Sequence, residues 1–380
     1  MEEIDKFLKD KEEAGLLRKL KPISYRRQGR IKTGGREYID FSSNDYLGLS
    51  DHPKLINAAK SAADEFGTSS SASRLLSGDL NLHHELEEKV ARLKKKEAAL
   101  VFNSGYQANV GIISALFKKG DCIFSDRLNH ASIIDGILLS GAKLFRFQHN
   151  DAGHLEELLK KERPKFRKVL IISESIFSMD GDKCPLKELV NLKKEYDCQI
   201  MVDEAHATGI FGKNGAGVVE EEGSEKEVDF IMGTFSKALG SFGAYLAASK
   251  ATIDYLVNTC RSFIYSTALP PSVIAANLAS LELVKEEPLR RKQLLESASF
   301  FRENLKKNGF EVRGESQIAP VIIGDNLKTV ESARRLQEKG YWVLPIRPPT
   351  VPQGEARLRF SLTYYHSREI LEAVINDIKI

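Results

Sequence analysis

Lys237 stands in the stretch GTFSKALGSFG, residues 233–243, directly after the apolar run Phe230-Ile231-Met232. Small and hydroxylated neighbours are unusual for a surface lysine. A partly buried amine near apolar or cationic groups becomes less basic, which frees it for Schiff-base chemistry. A second apolar run ends in QIMVDEAHATG, where Asp203 is followed three residues later by His206. A buried carboxylate needs a cationic partner or it takes up a proton. The ring nitrogen of a bound pyridine cofactor is such a partner. Thr234 and Ser236 offer hydroxyls to a phosphate. Gly105 and Tyr106 open a helix, whose free N–H groups and dipole favour an anion. A lysine for the Schiff base, an acid for the pyridine nitrogen and a phosphate cup make up a pyridoxal phosphate site.

Other chemistries fit less well. The letters DEAH also occur in helicase-type ATPases, but those require a GxxxxGK[ST] loop. The sole Gly-Lys pair here, Gly212-Lys213, precedes Asn214. His83-His84-Glu85 lacks the i, i+4 histidine spacing of a helical zinc site and reads as an exposed helix start. No GxSxG elbow marks a serine hydrolase. Taken singly, Asp203 reads as a helix N-cap, Lys237 as a surface lysine, and His130 and His206 as structural or exposed residues. Their common position at strand ends is what joins them.

The elements that would position these residues alternate along the chain. AALVFNS (98–104), CIFSDRL (122–128), KVLIISESIF (168–177), QIMVDEA (199–205), DFIMGTF (229–235) and GAYLAAS (243–249) read as strands. Helices are expected over 106–117, 131–141 and 186–196, and over 2–20 at the start. The strands are continuous apolar runs, as strands buried on both faces are. Alternation with helices predicts a mostly parallel α/β sheet with helices on both faces. Ligands in such sheets bind beyond the carboxyl ends of the strands. Asn103, Asp126, His130, Glu174, Asp203 and Lys237 all fall there. The reading divides the chain into an N-terminal helix and extended segment (1–43), a large cofactor-binding α/β domain (44–279) and a smaller C-terminal α+β domain (280–380). GTSSSASRLLSG (67–78) reads as an ordered loop between two helices.

Composition narrows the class. With 380 residues, 42% of them apolar, the chain can bury a substantial core. A net charge of +3 gives no electrostatic argument for nucleic acid or an anionic membrane. The basic run Arg92 to Lys96 is interspersed with acids and reads as a solvated helix face. Four cysteines lie far apart, with no CxxC pair, so neither zinc nor a disulfide framework is expected. The N-terminus lacks the apolar h-region of a signal peptide, and no run approaches the ~18 residues of a membrane span. A cytoplasmic location is expected.

Longer motifs carry a resemblance: SSNDYLGLS (42–50), NSGYQAN (103–109), DRLNHASIIDG (126–136), ESIFSMDGD (174–182), VDEAHATGIFGKNGAG (202–217), GTFSKALGSFG and YSTALPP (265–271). Over nearly its whole length the sequence resembles the α-oxoamine synthases, fold-type-I pyridoxal phosphate enzymes. The resemblance implies that Lys237 holds the cofactor, Asp203 pairs with its ring nitrogen, and His206 bonds its phenolic oxygen beside Ser178. It implies that His130 stacks on the ring. Gly105, Tyr106 and Thr234 would hold the phosphate, with Thr267 of a second subunit in a homodimer. Arg359 and Asn44 would bind the amino acid carboxylate, and Arg18 and Thr350 the acyl substrate. The stretch LPIRPPTVPQGEARLRFSLTYYH (344–366) is similar to the biotin-pathway members of that family. That similarity implies L-alanine as one substrate and pimeloyl-CoA or pimeloyl-acyl carrier protein as the other. Arg347 is the residue that discriminates, and a sister synthase acting on glycine and acetyl-CoA is the alternative. The serines of 67–78 depart from a family pattern richer in glycine.

Overall fold

The computed structural model describes residues 2–378. Contacts divide the chain into two units. The larger comprises Leu49–Phe177 and Lys183–Arg291. The other gathers the residues up to Gly48, the short insert Ser178–Asp182, and everything from Lys292 onward.

The larger unit is built on a seven-stranded sheet. Its spatial order is Ala98–Phe102, Ala244–Ala248, Phe230–Thr234, Gln199–Asp203, Val169–Glu174, Cys122–Asp126 and Lys143–Phe147. Ala244–Ala248 is antiparallel to both neighbours. The other pairings are parallel. The sheet is therefore mostly parallel, as the continuous apolar runs require. Every residue of the strands Cys122–Asp126, Val169–Glu174 and Phe230–Thr234 is buried. Ile112, Ile123, Leu170, Ile172, Met201 and Leu246 belong to one core cluster. Each such side chain contributes about 1.5–3 kcal/mol when fully buried. Parallel strands end on the same edge of the sheet. Asp126, Glu174, Asp203 and Thr234 are therefore brought to one edge by topology alone.

Two helices meet at that edge. Gly105–Leu116 is capped by Ser104, whose Oγ accepts from Gln107 N–H at 3.2 Å. Ala131–Ser140 is capped by the His130 side chain. They pack closely at Gly136, where a Cβ would lie 2.9 Å from the carbonyl oxygen of Asn109. Any larger residue would push the helices apart.

The second unit holds a four-stranded sheet that includes Arg36–Asp40 and Tyr341–Trp342, and a three-stranded sheet ordered Ile318–Gly324, Ala356–Ser361, Pro345–Ile346. Chain start and chain end pair directly, with Ile39 N–H on the Gly340 carbonyl at 2.9 Å. Among the described residues no helix is long and apolar enough to cross a membrane.

Four expectations need correction. The first helix runs Glu2–Glu13, not to residue 20, because the Leu16 and Leu17 N–H groups both turn back to the Lys11 carbonyl. Lys143–Phe147 is a strand that periodicity passed over, since an edge strand of mixed exposure has no continuous apolar run. His83 is 1% exposed and caps its own helix by accepting from Leu80 N–H at 3.1 Å, whereas His84 and Glu85 do face solvent. The basic run is no uniform solvated face either. Lys94 is 1% exposed and donates to Glu204 Oε2 at 2.6 Å, to Thr208 Oγ1 at 3.1 Å and to the Ala216 carbonyl. Glu204 also accepts from Val219 N–H at 2.8 Å. Gly217 leaves it room, for a Cβ there would lie 2.4 Å from the Glu204 carboxylate oxygens. A buried charge persists only with such partners. Leu86, Val90 and Lys94 are all buried at four-residue spacing on one helix face, so Lys94 lies on the apolar stripe.

Candidate active site

Lys237 follows the strand Phe230–Thr234 and is half-buried. Its Nζ lies 2.9 Å from Nε2 of His206, which is buried just three residues past the end of the neighbouring strand Gln199–Asp203. Asp203 ends that strand at 5% exposure. Its Oδ1 accepts from Ala205 N–H at 2.9 Å and its Oδ2 from Asn109 Nδ2 at 2.9 Å. Among the described residues it makes no ion pair.

His130 is held from three sides. Its Nδ1 accepts from Ser132 N–H at 3.3 Å and lies 2.8 Å from Ser132 Oγ. Its own N–H donates to Glu174 Oε1 at 2.6 Å. Tyr106 meets its ring edge-on, with centroids 6.4 Å apart at 80°. Burial holds its imidazole below the usual range, with Lys237 adding to the effect and Asp203 opposing it. The ring is thus kept neutral around neutral pH, suited to lie against an aromatic face.

Gly105 and Tyr106 are the first two residues of their helix, where N–H groups have no intrahelical acceptor and the dipole is positive. Thr234 Oγ1 lies 2.5 Å from Ser236 Oγ and donates to the Gly243 carbonyl at 2.7 Å. Thr267 is exposed, and its backbone bridges to Ser73 in the serine-rich loop. That loop is ordered: Ser70 Oγ donates to the Leu269 carbonyl at 2.6 Å. Serines thus do the fastening at a place where glycines were expected.

The second unit assembles a different set. Arg359 is 8% exposed. It donates to the Ser178 carbonyl at 2.6 Å, to Asn44 Oδ1 at 3.4 Å, to Tyr46 Oη at 3.3 Å and to Ser361 Oγ. All four partners are neutral, so the guanidinium keeps its charge for an incoming anion. Its strand neighbour Arg357 differs, being paired with Asp180 and Glu355. Arg18 donates to Thr350 Oγ1 at 2.8 Å, and Arg347 to the Gly15 carbonyl. Arg347 is half-buried and Arg18 is exposed. Burial and the Arg18 charge both depress the Arg347 guanidinium, the mark of two cations close together.

Comparison with known proteins follows the same lines. A family model described as aminotransferase class I and II matches residues 36–378. The chain belongs to the class I and II aminotransferase family. Within it, an 8-amino-7-oxononanoate synthase of Geobacter sulfurreducens is 49% identical over 366 residues, covering 96% of this chain and 93% of that protein. Among solved structures, Sphingomonas wittichii serine palmitoyltransferase superposes with a TM-score of 0.94 at 34% identity, covering 99% of this chain and 96% of that one. The 8-amino-7-oxononanoate synthase of Francisella tularensis superposes with a TM-score of 0.79 at 31% identity, covering 90% and 96%. The fold is thus that of the fold-type-I pyridoxal phosphate transferases.

The cofactor of such an aminotransferase-family chain is pyridoxal 5′-phosphate, and the larger unit fits it. A buried carboxylate without a cation, a half-buried amine, a neutral imidazole and the N–H groups of a helix start are the complementary groups it needs. Asn109 and Ser132 were not among the expected site residues, and Glu174 was expected at the strand ends without a role of its own. Asn109 carried a signal, since it stands four residues after Gly105 and so shares its helix face. Glu174 carried one too, as the polar last residue of a buried strand.

Proposed function

We propose that this chain condenses L-alanine with a pimeloyl thioester, giving 8-amino-7-oxononanoate, carbon dioxide and the free thiol carrier, a step of biotin biosynthesis. The observation that carries the reading is Lys237 Nζ at 2.9 Å from His206, on the strand edge that also holds buried Asp203. Relatives of half-identical sequence named 8-amino-7-oxononanoate synthase support it.

Pyridoxal phosphate, when bound, supplies an electron sink for the α-carbon of the amino acid. Lys237 Nζ would hold the cofactor through its aldehyde carbon, and the same amine is the base that would take the α-proton of alanine. His206 Nε2 is placed to relay that proton. Asp203 would keep the ring nitrogen protonated, and Asn109 and Ala205 keep Asp203 an acceptor. His130 would face the ring, and Ser178 and His206 would serve its phenolic oxygen. Gly105, Tyr106 and Thr234 would hold the phosphate. Arg359, with Asn44, binds the alanine carboxylate until carbon dioxide leaves. Arg18, Arg347 and Thr350 serve the acyl donor, whose carrier is coenzyme A or an acyl carrier protein. The protein works as a cytoplasmic homodimer in which Thr267 completes the partner's phosphate site. The exposure of Thr267 supports that assignment.

A substrate panel tests the reading. Purified holoenzyme is given alanine or glycine with pimeloyl-CoA, pimeloyl-acyl carrier protein or acetyl-CoA. Alanine with a pimeloyl donor should be preferred at least a hundredfold in kcat/KM. Preference for glycine with acetyl-CoA would replace the reading with glycine C-acetyltransfer.

A further inference from the structure

Glu174 and Asp203 end neighbouring parallel strands and sit opposite each other in register. Glu174 is 3% exposed and makes no ion pair among the described residues. Its Oε1 accepts from His130 N–H at 2.6 Å, and its own N–H donates to Asn129 Oδ1 at 3.1 Å. Asn129 in turn donates to Ser125 Oγ at 2.8 Å and to the Ile172 carbonyl at 2.9 Å. The Asn129-His130 corner is therefore tied to the strand that Glu174 ends.

We propose that Glu174 is a positioning acid: a neutral carboxylic acid that fixes the His130 corner and leaves Asp203 as the one charged carboxylate of the pair. Two buried carboxyls side by side share one charge, because ionising both costs too much. Hydrogen bonds decide which keeps it. Both oxygens of Asp203 have N–H donors, whereas Glu174 has one. The surrounding charges act together. Burial first, then Asp203 and Asp126, push the Glu174 carboxyl up to about 8, against the pull of Lys237 and of His130 N–H. At neutral pH Asp203 can then answer a single pyridinium charge without a second anion beside it. Above the Glu174 transition a second negative charge enters the site and its hold on the His130 corner changes.

This inference rests on the functional reading above only for its catalytic consequence; the proton is measured without substrate. Wild type and Glu174→Gln holoenzymes are compared by infrared difference spectroscopy at pH 7 and pH 9. A protonated-acid carbonyl band present in wild type at pH 7, and fading by pH 9, is the expected result. A linkage follows for stability. A carboxyl whose folded pKa is raised loses stability as pH climbs from its unfolded value towards the folded one. Glu174→Gln should therefore gain in melting temperature over wild type as pH rises from about 5 to about 8. Glu174→Ala should lose tenfold or more in kcat, and Glu174→Gln should recover most of it, because its amide oxygen still accepts from His130 N–H. Absence of the acid band at pH 7, or an unchanged stability difference between pH 5 and 8, overturns the inference. Either result would leave alanine and pimeloyl-CoA turnover standing. Conversely, a wild type that fails to turn over these substrates sinks the functional reading and not the proton on Glu174.

Discussion

Lys237 Nζ and His206 Nε2 stand 2.9 Å apart, close enough for one proton to serve both bases. When the amine carries it, Nε2 accepts; when Nε2 carries it, the amine is free to attack or to abstract. Borohydride reduction of the holoenzyme should fix a pyridoxyl group on the peptide containing Lys237. A pyridoxyl group on any other lysine would remove Lys237 from its role.

Asp203→Asn should keep cofactor and lose at least a hundredfold in α-proton exchange, about 3 kcal/mol of barrier. Asn109→Ala removes one of the two donors on Asp203 and should lose about tenfold, in line with one hydrogen bond to a charged group. Near-normal exchange rates in Asp203→Asn would mean that the ring nitrogen is served elsewhere.

Arg347→Ala separates two roles for this guanidinium. If it reads the distal carboxylate of the pimeloyl chain, kcat/KM for pimeloyl-CoA should fall by roughly 2–4 kcal/mol. An acyl-CoA of equal length ending in a methyl group should lose far less. Its donation to the Gly15 carbonyl offers the other role, a structural brace. Equal losses for both chains, with a lowered melting temperature, would assign Arg347 to that brace.

Subunit mixing addresses Thr267. Lys237→Ala and Thr267→Ala chains, each impaired alone, should recover part of the wild-type rate when exchanged. No recovery after demonstrated exchange would confine every site to its own chain.

Lys94→Ala should destabilise the protein by about 3–5 kcal/mol, because it leaves Glu204 buried without its cation. Arg92→Ala, two residues away and solvent-exposed, should stay within about 0.5 kcal/mol. Chemical denaturation of the two variants makes the comparison. Similar small losses would show that Glu204 finds another partner.

Strand ends were the legible part of this sequence. Continuous apolar runs located Gln199–Asp203 and Phe230–Thr234 to within a residue or two, because strands buried on both faces leave no alternation to misread. Lys237, Asp203 and His206 followed from that. Asn109 and Glu174 were harder, since their importance lies in which neighbour they touch, and contacts between residues 94 positions apart, as between Asn109 and Asp203, leave no local pattern. Lys94 misled through composition: a lysine in a basic run looks solvated until the four-residue spacing with Leu86 and Val90 is given priority. The edge strand Lys143–Phe147 escaped because partial exposure breaks its run.

The second unit is sewn from both ends of the chain, and this sets an order for its birth on the ribosome. Arg18 and Thr350 are 332 positions apart, and so are Gly15 and Arg347. At about 5–20 residues per second, the early partners wait some tens of seconds for the late ones. Residues 49–291 form one almost continuous stretch and can fold while the rest is still being made. Throughout that interval the strand Arg36–Asp40 offers an open edge where Tyr341–Trp342 will later pair. Nascent chains halted before residue 341 should therefore show a protease-resistant larger unit and a cleavable N-terminal segment. Resistance of that segment in the halted chains would mean that another part of the chain shelters it first.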